Sequence, residues 1–240
     1  MRNVVIIQAR MGSTRLPGKV LKKLIDKTVL AHVVERTEAF QNVQEIIIAT
    51  TLASHDDLII EEARRLGVNV YRGSESDVLS RYYETALRAR AETVIRITSD
   101  CPLIDPETSS LVIKEYLGNS VCDYASNTLD RTFPRGLDTE VMSFASLEVA
   151  HREAREPHHR EHVTPYIYTN RERFSCRSVI NQDGYADYRW TLDTPEDWDL
   201  ILKIYETLYQ SGRIFSWQEA AALMQRNPEW MLINSNIQQK

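Results

Sequence analysis

Three cations, Arg10, Arg15 and Lys19, fall within the eleven residues Ala9 to Lys19, together with Gly12, Ser13, Thr14 and Gly18. Small residues let backbone N–H groups approach an anion closely, and Arg and Lys neutralise it. A nucleoside triphosphate needs that combination. A plain polar turn needs one or two special residues rather than this density. The stretch is not the common phosphate-binding loop, which has four residues between its first glycine and Gly-Lys, then Ser or Thr. Here five residues separate Gly12 from Gly18, and Val20 follows Lys19. Nor does it match Gly-x-Gly-x-x-Gly. Phosphate binding is therefore read from residue chemistry.

Two aspartates can complement these cations. Asp100 follows the apolar run Val94-Ile95-Arg96-Ile97, and Asp193 follows Tyr188 to Leu192. Each could be a turn aspartate or a helix cap. However, Asp105-Pro106 and Thr194-Pro195 already provide caps for the helices that follow, which leaves both aspartates spare. Beside a triphosphate loop, one or two carboxylates plus substrate phosphates are the usual ligands of Mg²⁺. The segment from His151 to Arg173 holds His151, His158, His159 and His162 among five arginines and Glu153, Glu156, Glu161 and Glu172. It reads as a solvated helix face. A zinc site lacks any nearby cysteine. An anion pocket is a third reading, with His162 the residue set apart from the solvated face.

The elements that must position these groups alternate. Val4 to Ile7 reads as a strand buried on both faces. Val29 to Phe40 is expected as a helix, Glu45 to Thr50 as a strand, and Ser54 to Leu66 as a helix capped by Ser54 and stopped by Gly67. Val68 to Tyr71 follows as a strand, 76–90 as a helix and Glu92 to Thr98 as a strand. Such alternation implies a parallel sheet with helices on both faces and ligands beyond the carboxyl ends of its strands. The stretches 9–19, 50–57, 72–77 and 98–105 all fall there. After about residue 118 the pattern changes. Strands are expected at Asp123–Asn127, Asp138–Met142, Arg173–Ile180 and Tyr188–Thr191, and helices at 143–154, 159–170, from Thr194, and at 216–226.

Bulk properties agree with a soluble globular protein: 240 residues, 42% hydrophobic and 26% charged. A formal net charge of −5 argues against non-specific nucleic-acid binding. Cys101, Cys122 and Cys176 form no metal-ligand pattern and cannot all pair. With no signal peptide read at the N-terminus and no apolar run long enough for a bilayer, a cytoplasmic location without membrane insertion is expected.

Ile6 to Lys19 resembles the opening of the CMP-sugar synthetase (acylneuraminate cytidylyltransferase) superfamily, and is most similar to the branch of the spore coat polysaccharide protein SpsF. Further stretches resemble that branch: Tyr71-Arg72-Gly73-Ser74, Asp77 to Tyr83, Arg96 to Asp105, Pro134 to Val141, Arg160 to Tyr166 and Arg189 to Asp197. The likeness covers residues 3–205. It implies an α/β, Rossmann-like nucleotidyltransferase fold of GT-A type, with a mostly parallel sheet and a late α/β insertion. One domain over 1–240 is expected. About 120–187 would serve acceptor binding and dimerisation, and 211–240 would be a C-terminal helix and tail. CTP, Mg²⁺, a sugar acceptor and a homodimer are implied. The implied nucleotide set is Ala9, Arg10, Gly12, Ser13, Arg15, Lys19, Arg72, Ser74, Asp77 and Arg96, with Asp100 and Asp193 on the metal. Arg15, Lys19 and Asp100 would be catalytic. The late motifs differ from those of the sialic acid and Kdo activating enzymes, so their sugar does not carry over.

The expectation is a Mg²⁺-dependent cytidylyltransferase that activates a sugar, acidic in class, for surface polysaccharide synthesis. Arg135, Asp138, Glu140, His162 and Arg189 would form the acceptor pocket. Two alternatives remain: a GT-A glycosyltransferase and a non-catalytic nucleotide-binding protein. Glycosyltransferases usually place Asp-x-Asp at a strand end, whereas Asp197-Trp198-Asp199 is expected inside a helix.

Overall fold

The computed structural model of the chain describes residues 1–237, so the last three residues of the 211–240 segment lie outside the described residues. In chain order the elements begin with β1 (Asn3–Gln8), a short hairpin of β2 (Lys23–Leu24) and β3 (Lys27–Thr28), α1 (Val29–Glu38), β4 (Glu45–Thr51) and α2 (Asp57–Leu66). There follow β5 (Asn69–Gly73), α3 (Val78–Ala89), β6 (Thr93–Thr98), α4 (Pro106–Leu117), β7 (Tyr124–Ser126), β8 (Glu140–Ser143) and α5 (Phe144–Glu153). The chain continues through α6 (Pro157–His162), α7 (Pro165–Thr169), β9 (Cys176–Ser178), α8 (Pro195–Leu208) and α9 (Trp217–Arg226).

The main sheet runs β5-β4-β1-β6-β8-β7-β9. Its first four strands are parallel, with Val5 between Ile46 of β4 and Ile95 of β6. β8 is antiparallel to both β6 and β7, and β9 is parallel to β7. Thus the strands of 120–187 continue the main sheet. The chain leaves β1 for one side of the sheet and returns at β6 on the other, which opens a crevice at the carboxyl ends of these two strands.

β1 is apolar on both faces because helices cover both. Successive strand side chains point to opposite faces. Val5 and Ile7 pack with Leu30 and Val33 of α1, Ile59 of α2 and Val112 of α4. Val4 and Ile6 pack with Leu79 and Tyr82 of α3 and Leu147 of α5. A third cluster joins α8 and α9 to the rest through Trp190, Leu192, Phe133 and Phe215.

The Asp105 and Thr194 caps form as expected: Asp105 accepts from Thr108 N at 2.8 Å, and Thr194 makes a reciprocal capping box with Asp197. Four local expectations change. The helix from Ser54 opens with a 3-10 turn over Ser54–Asp56, and Ser54 caps nothing. The strand over Arg173–Ile180 pairs only at Cys176–Ser178. The helix over 159–170 breaks at Val163, a buried valine at φ 73°. There Thr164 N donates to His162 O at 2.9 Å, closing a γ-turn before Pro165 starts α7. Finally, Tyr188–Thr191 forms no ladder, only a single bridge from Arg189 to Arg135. Gly136 permits this approach: at φ 102°, an added Cβ would lie 2.7 Å from the carbonyl carbon and oxygen of Trp190. The segment then departs toward β6 instead of extending a ladder.

Candidate active site

Beyond the carboxyl ends of β1 and β6 lies a cleft of about 680 Å³. One wall is the loop after β1. Its shape is set from below by Asp56, fully buried, which accepts from Met11 N at 2.7 Å and from the backbone and hydroxyl of Thr51. Gly18, at φ 67°, then turns the chain into a 3-10 helix, Lys19–Leu21, that directs Lys19 inward.

Lys19 Nζ lies 2.8 Å from Asp100 Oδ2 and 2.8 Å from Asp193 Oδ1. Arg15 approaches Asp193 Oδ2 at 3.2 Å, and Arg189 reaches the same oxygen at 2.9 Å. Leu192 N donates to Asp100 O at 2.8 Å, which brings the two aspartates together from distant parts of the chain. Burial opposes the charge on Lys19, but the two carboxylates outweigh it and hold its pKa above the usual lysine value. Burial likewise opposes ionisation of Asp100, and the Lys19 ammonium prevails, keeping the carboxyl below its usual range. The pair is therefore ionised at neutral pH.

The cleft brings together Ala9, Arg10, Gly12, Ser13, Arg15, Lys19, Arg96 and Asp100 with Arg135, Asp138, His162 and Asp193. Other expected site residues lie around it. Arg72 turns away, donating to Thr51 O at 2.8 Å and Ala53 O at 2.9 Å and pairing with Asp57 at 2.8 Å. The Ser74 hydroxyl accepts from Asp77 N at 3.0 Å. Asp77 caps α3, accepting from Ser80 N at 2.9 Å, and pairs with Arg160. Glu140 is buried beneath the cleft, where it pairs with Arg96 and accepts from the hydroxyls of Tyr124 and Thr164. Arg189 stands behind Asp193 and also pairs with the fully buried Asp197 at 2.9 Å. Asp138 forms a two-point pair with Arg131 at 2.7 and 2.9 Å. Burial lowers the pKa of His162, with His158 adding to the effect, so His162 is neutral at pH 7. Much of the remaining histidine segment is a surface of ion pairs, such as Arg152 with Glu153 at 3.2 Å.

Sequence reasoning missed Gln8, Glu75, Ser76, Arg81 and Glu161 in the cleft wall. Arg81 had a visible signal: a charge on the apolar face of an amphipathic helix, beside Val78, Leu79 and Tyr82. Asp56 had none beyond its position after a strand.

Among the described residues no group of three or more His, Cys, Asp or Glu is arranged to hold a metal. Asp100 and Asp193 nevertheless converge on one cation at 2.8 Å each. An all-oxygen pair of this kind fits Mg²⁺ shared with substrate phosphates.

A family model described as cytidylyltransferase matches residues 4–223. The chain belongs to the cytidylyltransferase family. This cytidylyltransferase is 33% identical to the spore coat polysaccharide biosynthesis protein SpsF of Bacillus subtilis, covering 93% of this chain and 94% of that protein. It is 34% identical to a 3-deoxy-manno-octulosonate cytidylyltransferase of Anaeromyxobacter dehalogenans, over 70% of this chain and 74% of that one. The structure of a cytidylyltransferase from Leptospira borgpetersenii superposes with a TM-score of 0.92 at 33% identity, covering 100% of this chain and 99% of that one. The α/β fold and general cytidylyltransferase activity on CTP follow. Among the described residues no helix is long and apolar enough to cross a membrane. Asp197 and Asp199 lie within α8, and Asp197 is committed to Arg189 and to the helix cap, so Asp-x-Asp is not presented at a strand end.

Proposed function

We propose that this cytidylyltransferase belongs to the SpsF branch and activates an acidic sugar for surface polysaccharide synthesis, releasing pyrophosphate. The observation that carries the reading is the convergence of Lys19 and Arg15 with Asp100 and Asp193 at the mouth of β1 and β6. An oxygen of the acceptor attacks the α-phosphorus of CTP in line. The bond from that phosphorus to the bridging oxygen of the β-phosphate breaks, pyrophosphate leaves, and the proton of an acceptor hydroxyl passes to solvent. Catalysis of such a transfer is mainly positioning and charge stabilisation.

Lys19 and Arg15 neutralise charge that builds on the departing pyrophosphate. Arg10, Gly12 and Ser13 line the wall along which the nucleotide lies. Asp100 and Asp193 would hold Mg²⁺, which when bound there supplies Lewis-acid stabilisation at the α-phosphate and its leaving oxygen. Arg135, Asp138 and His162 face the cleft from the later part of the chain and form the acceptor side. Arg135 has no ion-pair partner among the described residues, which suits a carboxylate or phosphate on the acceptor. Glu140 and Arg189 act from behind, holding Arg96 and Asp193.

The test is pyrophosphate release from CTP with Mg²⁺ and a panel of acidic and neutral sugars. Turnover with an acidic sugar, abolished in Asp100→Ala, supports the reading. Turnover restricted to neutral sugars refutes the acidic class, and binding of a nucleotide sugar with glycosyl transfer refutes the reaction.

A further inference from the structure

A second cavity, also of about 680 Å³, meets the bridge between Arg135 and Arg189. Its apolar wall is built by Leu200 of α8, Met224 of α9, Met231 and Leu232 of the 3-10 turn Pro228–Leu232, and Ile237. That turn is fixed in place. Asn234, 5% exposed, donates its amide to Arg189 O and to Asp197 Oδ1, both at 2.9 Å. Yet Met231 is 36% and Leu232 71% exposed. Apolar side chains left in water on an anchored segment, beside a cavity of small-molecule size, mark a binding surface. The two methionines suit one, because a thioether chain adapts to what it packs against. Met224, Met231, Leu232 and Ile237 lie beyond the stretch 4–223 that carries the family match.

The polar groups of this cavity narrow the ligand. Arg189 is held by Asp193 and Asp197, and the Asn234 amide is spent on the anchor. Asp187 is exposed to solvent. Arg135 differs. Its backbone is fixed on both sides, N–H to Tyr188 O at 2.9 Å and O from Trp190 N at 2.7 Å. Its guanidinium, half-buried, has no hydrogen bond or ion pair among the described residues. Burial above all, with Arg131 and Arg189 adding to it, pulls its pKa below the usual arginine value. Of the residues that line this cavity, Arg135 alone also lines the cleft. An anion on Arg135 therefore stands at the boundary of the two spaces, with the acceptor side of the cleft on one hand and an apolar chamber on the other.

We propose that the second cavity binds the apolar part of an amphipathic anion whose charged group is held by Arg135, and that this molecule is the acceptor, an acidic sugar bearing an acyl or comparable apolar substituent. The assignment to the acceptor rests on the reading of the cleft given above; the cavity as a site does not. Burial of the substituent adds affinity for each methylene, and the guanidinium fixes which end faces the cleft.

Calorimetric titration of the full chain with sodium octanoate, sodium acetate and octanol tests the cavity. Octanoate is expected to bind at least about 100-fold more tightly than acetate, through its methylenes, and about tenfold more tightly than octanol, through its charge. Arg135→Met should remove the preference for octanoate over octanol. Leu232→Asp, at an exposed position, should weaken octanol as well as octanoate by at least about fivefold, which reads lost apolar surface rather than charge repulsion, and should leave CTP affinity within about twofold. Failure of octanoate to bind, or binding of both probes unchanged in Leu232→Asp, overturns the site. Pyrophosphate release then tests the occupant: octanoate should raise KM for an acidic sugar that turns over and leave KM for CTP unchanged. Octanoate that binds without competing against that sugar overturns the assignment to the acceptor. Turnover of no acidic sugar refutes the acidic class and the acceptor assignment together, while the octanoate titration still decides the cavity.

Discussion

The backbone N–H of Leu192 donates to the carbonyl of Asp100 at 2.8 Å, and this bond sets two carboxylates on either side of Lys19. The side chains that define the candidate site are thus aligned by main chain. Leu192 is fully buried, so the alignment is anchored in the core that α8 and α9 share with Trp190.

Replacing Lys19 removes the cation shared by both aspartates and, on the proposed mechanism, a contact to the leaving group. Lys19→Met is expected to lower kcat by about 100- to 1,000-fold, the usual effect of losing one such donor. Pyrophosphate release at saturating CTP measures it. An effect confined to KM would assign Lys19 to ground-state binding alone.

Asp193 and Asp197 are four residues apart and both touch Arg189, yet their roles separate. Asp197→Ala leaves Arg189 without its fully buried partner and removes half of a capping box, so a loss of about 3–5 kcal/mol is expected in urea denaturation. Asp193→Ala faces the cleft and should abolish turnover with a smaller change in stability. Equal destabilisation by the two would undo the distinction.

Gly136→Ala sets a methyl group 2.7 Å from the Trp190 carbonyl at a φ of 102°. Both clash and backbone strain act there, and a cost of about 3 kcal/mol or more is expected. A melting temperature within a few degrees of wild type would contradict it.

His32 is 2% exposed, with Nε2 placed 2.8 Å from Leu24 O. Burial lowers its pKa, so below the ordinary value of about 6.5 the unfolded chain binds a proton that the folded chain refuses. Its contribution to stability is complete above that pH and is lost as pH falls through the lowered folded value. Stability should therefore drop as pH falls below about 6.5. In His32→Gln the drop should shrink. An undiminished drop would assign it to other groups.

The parallel half of the sheet was legible because β1, β4 and β6 are apolar on both faces and each ends in a loop rich in polar or small residues. The Asp105 and Thr194 caps were legible for a similar reason, since both depend on residues within one turn. Contacts across the chain were not. The Tyr188–Thr191 run looks like a strand by composition, but Gly136 and the Asp100 carbonyl decide its course. Val163 breaks a helix that its own side chain does not oppose, because its packing and the following Pro165 govern the turn. Arg72 and Arg81 stand nine residues apart in one motif-bearing stretch. Only packing against Gly73 and the turn of Arg72 toward β4 and its loop show which one enters the cleft.

The sequence distance across the Lys19 pairs sets an order of assembly. Asp100 lies 81 residues downstream of Lys19, and Asp193 lies 174. During synthesis, at about 5–20 residues per second, the β1–β6 half emerges first. Lys19 can find Asp100 several seconds before Asp193 leaves the ribosome. A nascent chain therefore carries the wall formed by the loop after β1 before it carries the second carboxylate, and the four-residue cluster of Arg15, Lys19, Asp100 and Asp193 is complete only once the segment preceding α8 docks against Asp100.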